Sequence, residues 1–141
     1  MGKLIITTKF FLFLNIALNA QEYKLYEDAI FVHEGDTLNY RFLKPANYDP
    51  SKQYPVHLFL HGAGERGNDN SSQLTHGGEL FLKKEVRDKY PSWVIFPQCT
   101  ENDRWPSLLF DNWNDTLFTL STNPNNSLNL VIKLMDKFIK K

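Results

Sequence analysis

The chain has 141 residues, with 16 basic and 16 acidic side chains and a single cysteine. That length accommodates one domain, the balanced charge argues against a nucleic acid or an anionic membrane surface as partner, and one cysteine excludes an intrachain disulfide. Phenylalanine is far more frequent than tryptophan or tyrosine, and an aromatic content of 14% suits a globular core rather than disorder.

The first twenty residues differ from the rest. Lys3 and Lys9 precede the apolar run Phe10-Phe11-Leu12-Phe13-Leu14, which continues through Ile16-Ala17-Leu18 until small Ala20 meets polar Gln21-Glu22. This is the layout of a signal peptide, and its apolar run is too short to span a bilayer. Residues 1–20 are therefore expected to be a leader, with residues 21–141 the exported domain, secreted or periplasmic, with no membrane span after cleavage. A buried N-terminal strand is the competing reading. Without a cysteine near the cleavage point, a lipid anchor is not expected.

In the mature chain, Tyr23 to His33 reads as a strand and Glu34-Gly35-Asp36 as a turn. From Thr37 to Leu43 the pattern alternates, with Leu38, Tyr40 and Phe42 on one face and Thr37, Asn39 and Arg41 on the other, so the two strands form an antiparallel hairpin. Pro45 to Pro55 is a loop. Val56 to Leu60 reads as a short buried strand, favoured over helix by its length and by the flanking Pro55 and Gly62. The chain then breaks into His61-Gly62-Ala63-Gly64. Two glycines around a small residue allow a sharp turn that points amide N–H groups outward, where they can hold an anion or the oxygen that becomes one during acyl transfer. A plain tight turn is the alternative. Asn68 to Ser72 are turn formers, Gly78 to Lys89 is expected to be helical, Pro91-Ser92 stops that helix, and Trp93 to Phe96 is the next strand. Strand, helix and strand in this order make a parallel crossover. Gln98 to Asn114 reads as loop. The last element is a helix capped by Asn125, Asn126 or Ser127, with Leu128, Val131, Leu134, Met135 and Phe138 on one stripe and lysines on the opposite face and toward its C-terminal end.

His57 and His61 have the spacing of a zinc pair on a helix, but four strand residues span roughly 13 Å, too far for one metal. His33 and His76 complete no ligand set, so no metal and no cofactor is implied. Cys99 reads as a small buried hydrophobe. Ser71, Ser72, Ser92, Ser107, Ser121 and Ser127 fall in turn or cap contexts with no base beside them. Glycosylation sequons occur at Asn70, Asn114 and Asn125.

Three runs carry a resemblance. His61-Gly62-Ala63-Gly64-Glu65-Arg66-Gly67 resembles the loop after the third strand of secreted α/β-hydrolases, in the branch of esterases, the phospholipase/carboxylesterase group and polyhydroxybutyrate-depolymerase-like proteins. Trp93-Val94-Ile95-Phe96-Pro97-Gln98-Cys99 resembles that branch's next strand, and Tyr40-Arg41-Phe42-Leu43-Lys44-Pro45 the strand before. The resemblance implies a partial α/β-hydrolase sheet: an N-terminal antiparallel hairpin, a parallel β-α-β unit and a C-terminal helix. It also implies that the backbone N–H of Ala63 or Gly64 donates to an oxyanion, and that His61, Gly62, Glu65 and Arg66 support the loop. The family's nucleophile sits in a G-x-S-x-G elbow, a motif that occurs nowhere in this chain. The chain thus resembles the front portion of a hydrolase of carboxylic esters, or of peptides, without its serine, acid and histidine; a non-catalytic secreted binding module built on the same half-fold is the alternative. Strand ends in open α/β sheets face the ligand crevice, which makes Trp105 and Trp113 candidates for an aromatic wall against a small-molecule or polymeric ester. In this fold the Val56–Leu60 strand would be left as an open edge, able to self-associate.

Overall fold

The computed structural model describes residues 23–105, 108–109, 119–120 and 125–139. The expected leader, Trp113 and the Asn114 sequon lie outside these. Strands β1 (Glu27–His33) and β2 (Asp36–Leu43) form the antiparallel hairpin, with Phe31 opposite Leu38. Glu34 and Gly35 both have positive φ, 52° and 91°, the tight-turn geometry whose twist matches that of a hairpin. β1 begins at Glu27 rather than Tyr23 because Tyr23 to Tyr26 closes a turn, Tyr26 N donating to Tyr23 O at 3.1 Å. The buried Tyr26 ring sends its hydroxyl to Gly78 O at 2.8 Å.

Strand β3 (Val56–Leu58) is followed by the short helices α1 (Gly78–Leu82) and α2 (Lys84–Lys89), then by β4 (Trp93–Pro97). β4 pairs antiparallel with β2 and parallel with β3, giving the strand order β1-β2-β4-β3. A second ladder joins β5 (Leu108–Leu109), inside the stretch expected as loop over Gln98 to Asn114, to β6 (Thr119–Leu120). Helix α3 (Asn126–Ile139) ends the described chain.

The core follows from strand alternation on β4. Val94 and Phe96 point to one side, into a cluster with Tyr26, Leu43, Leu74 and Leu82. Ile95 points to the other, where Phe31, Leu38 and the α3 residues Leu130, Val131 and Leu134 meet it. Helical layers thus cover both faces of a mixed sheet, the arrangement that buries two apolar faces at once.

Three expectations need correction. The strand expected as buried over Val56 to Leu60 is shorter, and His57 and Leu58 are exposed; it lies at the sheet edge, with β4 as its only neighbour among the described residues. The single helix expected over Gly78 to Lys89 is two, because Lys83 adopts an extended conformation (φ −57°, ψ 127°) between them. α1 buries Leu82, whereas α2 fully buries nothing, so no continuous apolar stripe holds them in one rod. On α3, Leu130 takes the core place expected for Leu128, which is half-buried.

The tightest packing against backbone is at Gly77. Its φ is +98°, and a Cβ there would stand 2.7 Å from Cζ of Phe59. The Phe59 ring in turn stacks on Phe96 with centroids 4.8 Å apart. Gly77→Ala is therefore expected to destabilise the fold by about 2–4 kcal/mol, from left-handed backbone strain plus overpacking, read as a lower midpoint in urea denaturation. An unchanged midpoint would show that the ring can swing clear.

Candidate active site

The glycine loop is set by one buried side chain. After β3 the backbone keeps contact with β4, Phe59 N donating to Ile95 O at 2.9 Å, and then turns His61 inward. The imidazole, 4% exposed, bridges two backbones: Cys99 N lies 3.0 Å from Nε2, and Nδ1 lies 2.6 Å from Gly62 O. A backbone N–H can only donate, so Nε2 is the bare nitrogen and Nδ1 carries the proton given to Gly62 O. Trp105 Nε1 donates to His61 O at 3.0 Å, and its ring meets the imidazole edge-on, centroids 5.0 Å apart.

The returning side of the loop is tied to the same strand end. Gly67 N donates to Cys99 O at 2.9 Å. Gln98, 1% exposed, donates from Nε2 to Asp69 Oδ1 at 2.7 Å and to Glu65 O at 3.3 Å, and its Oε1 accepts from Asn70 N at 2.7 Å. A buried amide with every group partnered stabilises the one conformation that satisfies it.

Between these anchors, Ala63–Glu65 forms one 3-10 turn, with Glu65 N on Gly62 O at 3.3 Å. Ala63 and Gly64 are exposed, and among the described residues neither N–H has a partner. They are the orphan donors of a turn's first residues. Neither Gly62 nor Gly64 uses the left-handed freedom the sequence suggested; Gly62 instead leaves room for the Glu65 carboxylate, 2.9 Å from where a Cβ would stand, and the positive φ in the run is at Gly67, +153°. Gly62 is plainly extended (φ −76°, ψ 177°), and a Cβ on Gly64 would meet nothing within 4 Å. The His61 anchor shapes the loop, and Gly64 leaves open space above it.

Glu65 and Arg66 reach different partners. The Glu65 side chain, 13% exposed, has its carboxylate 3.4 Å from His76 Nε2. Arg66 folds back, Nε donating to Ala63 O at 2.9 Å and Nη1 to Asp103 O at 3.2 Å. Asp103 then links the loop to α3: its Oδ2 accepts from Ser127 N at 2.8 Å, while Asn125 Oδ1 accepts from Leu128 N at 3.0 Å. The two side chains cap the first turn of the helix. His57 stands apart, exposed on β3 with its ring 5.7 Å from that of Phe81.

Two carboxyls in this frame have depressed pKa values. Asp69 is held well below the usual carboxylate range by the Ser72 hydroxyl, then by the Ser72 and Ser71 N–H groups at 3.0 and 2.9 Å, and by Gln98. Burial pushes the Asp103 carboxyl up, but hydrogen bonds from the Ser127 hydroxyl and N–H and from Arg104 N outweigh it and leave it lowered. Burial raises the Cys99 thiol, which makes it a poor nucleophile. Two sequon asparagines are already in use: Asn70, at φ 49°, bonds Gln73 and Asp28, and Asn125 caps α3.

The structure thus brings His61, Gly62, Ala63, Gly64, Glu65, Arg66 and Trp105 together at the C-terminal end of β3. Gln98, Asp69 and Asp103 are the supports that sequence reasoning missed. Asp69 two and three residues before Ser71 and Ser72 is an Asx-turn signal. For Gln98 the only hint was a polar residue ending an apolar strand. Chemically, two outward N–H groups at a strand end suit a developing oxyanion. No serine among the described residues hydrogen-bonds to a histidine.

No family model and no curated protein matches the chain. Among solved structures it is similar to a thermostable esterase, at 30% identity and a TM-score of 0.71, over 85% of this chain and 32% of that one. It also matches a CE1 ferulic acid esterase from Anaeromyces mucronatus, solved in complex with ferulic acid, at 16% identity and a TM-score of 0.46, over 82% of this chain and 40% of that one; a likeness this low adds no weight. The chain spans about a third of the length of the thermostable esterase. With four mixed strands, helices on both faces and this match, the fold is a partial α/β-hydrolase sheet.

Because the Asp69 and Asp103 carboxyls are depressed in the folded chain, they add stability above the unfolded value of about 3.9. That stability is lost as pH falls through the lower folded values. The thermal midpoint is expected to drop in acid, and a chain carrying Asp69→Asn and Asp103→Asn should start lower at neutral pH and fall less steeply. Parallel curves would contradict this assignment.

Proposed function

We propose that residues 21–141 are the front portion of a secreted serine-type hydrolase of carboxylic esters, and that the 61–66 loop is its oxyanion cradle. The observation that carries this reading is the pair of unpartnered N–H groups at Ala63 and Gly64, set at the end of a parallel strand by the buried His61 ring. The match to a thermostable esterase supports it. In this reading Ala63 N–H, or that of Gly64, stabilises the charge that develops on the carbonyl oxygen. Such a donor is worth roughly 3 kcal/mol of barrier. Trp105, beside His61, forms part of an aromatic side of the substrate crevice; Trp113, the other tryptophan expected there, lies outside the described residues. The attacking serine, its base and the second oxyanion donor lie elsewhere, since the sequence holds no G-x-S-x-G. Residues 1–20 direct export, and the mature N-terminus is Gln21.

The test replaces the matching third of the thermostable esterase with residues 21–141 and assays p-nitrophenyl esters. The chimera is expected to turn over, whereas residues 21–141 alone are not. Ala63→Pro in the chimera deletes the donor with little other harm. Proline fits the first position of a helical turn, and the residue before it is already extended (φ −76°, ψ 177°). The expected loss is about 10²–10³-fold in kcat. An Ala63→Pro chimera as active as its parent would exclude Ala63 and leave Gly64 N–H as the donor, and a folded but inactive chimera would favour a non-catalytic binding module.

A further inference from the structure

Glu65 is the one charged side chain of the glycine loop that turns inward. Ala63 and Gly64 are exposed, whereas the Glu65 side chain is mostly buried. Its carboxylate folds back under the turn, Oε2 lying 2.9 Å from where a Cβ on Gly62 would stand. A Cβ is about 1.5 Å from its Cα and the next nitrogen about 2.4 Å from it, so Oε2 is within about 7 Å of the Ala63 nitrogen. Among the described residues its one ionic partner is His76, whose Nε2 lies 3.4 Å from Oε1. The other charged or titratable groups around the pair are engaged elsewhere. Arg66 sends its guanidinium to Ala63 O and Asp103 O. Asp69 is taken by Ser71, Ser72 and Gln98. His61 uses both nitrogens, and the Cys99 thiol is buried. Glu79, the only charged residue on α1, is exposed. The segment that carries His76 is fixed at both ends: Leu74 is buried in the core, and Gly77 packs its backbone against the Phe59 ring. His76 is thus presented to Glu65 by a fixed backbone, although its own ring is exposed.

We infer that His76 is a positioning residue of the oxyanion cradle that balances the Glu65 charge. A carboxylate this close to the turn repels an oxygen that gains negative charge at the turn's N–H groups. The imidazolium form of His76 cancels that charge, and the contact tethers the turn to the 72–77 segment. The turn then has three ties: the His61 ring, the Gln98 amide and the Glu65–His76 pair. Protonating His76 favours an anion at Ala63 and Gly64, so the cradle strengthens from pH 8 down to pH 5, the window in which histidine changes charge. This inference rests on the cradle reading proposed above and adds to it a regulation by proton concentration.

The esterase chimera carries the test. His76→Gln should lower kcat about three- to tenfold at pH 6, the effect of one unit charge at this distance near a protein surface, with KM little changed. At pH 9, where histidine is neutral, the same change should cost almost nothing. His76→Lys, cationic at both values, should recover the loss at pH 6 and exceed the parent at pH 9. In a Glu65→Gln background His76→Gln should cost much less, because nothing then holds the exposed ring at the turn. A His76→Gln chimera as active as its parent at pH 6, a loss equal at pH 6 and pH 9, or no rescue by lysine overturns the inference and leaves the esterase reading, judged by turnover itself, in place. A folded but inactive chimera removes the esterase reading instead, and NMR of the full chain then decides the coupling. The Ala63 and Gly64 amide resonances should move between pH 5 and pH 8 together with the His76 ring and stay fixed in His76→Gln. Amides that do not move in the native chain overturn the inference.

Discussion

The neutral His61 ring, wedged between Gly62 O and Cys99 N, is the contact on which the candidate site depends. Both ring nitrogens are in use and the ring is buried, so removing it strands a donor and an acceptor in the interior, at about 1–3 kcal/mol each. More important for chemistry, the ring fixes where the chain leaves β3. With Gly62 pinned, the next turn begins at Ala63, and its first two N–H groups have no partner among the described residues.

The rest of the frame repeats this logic at greater distance. Gln98 ties Glu65 and Asp69 to the end of β4, Arg66 ties the loop apex to Asp103, and Asp103 caps α3. The loop is therefore a rigid consequence of β4, whose Ile95 and Phe96 are fully buried. β4 is paired on both sides; among the described residues β3 is paired on one. The glycine loop thus leans on the buried strand, β4, rather than on β3, from which it departs.

How much of this the sequence carries differs by element. The hairpin is legible because Leu38, Tyr40 and Phe42 alternate and Glu34-Gly35 marks the turn. α3 is legible because its apolar residues recur at helical spacing, although the stripe alone does not tell Leu128 from Leu130. The edge position of β3 is expected from the resemblance and not from composition, since an edge strand and a central strand share the same apolar residues and only the sheet order separates them. The break at Lys83 has no glycine or proline to mark it. The positions of the loop residues are legible from the His-Gly-Ala-Gly run, but their reason is not. The anchoring partner Cys99 lies 38 residues from His61, and Asp69 lies 29 from Gln98. Hydrogen bonds between such distant residues leave no periodic trace.

The most direct test of this picture is amide hydrogen exchange, followed residue by residue by NMR, in the native chain and in His61→Ala. The account predicts strong protection at Cys99 and Gly67 in the native chain, fast exchange at Ala63 and Gly64, and loss of the Cys99 protection in His61→Ala while the β1–β2 amides stay protected. A Cys99 amide that exchanges as fast as Ala63 in the native chain, or one that His61→Ala leaves protected, would contradict it.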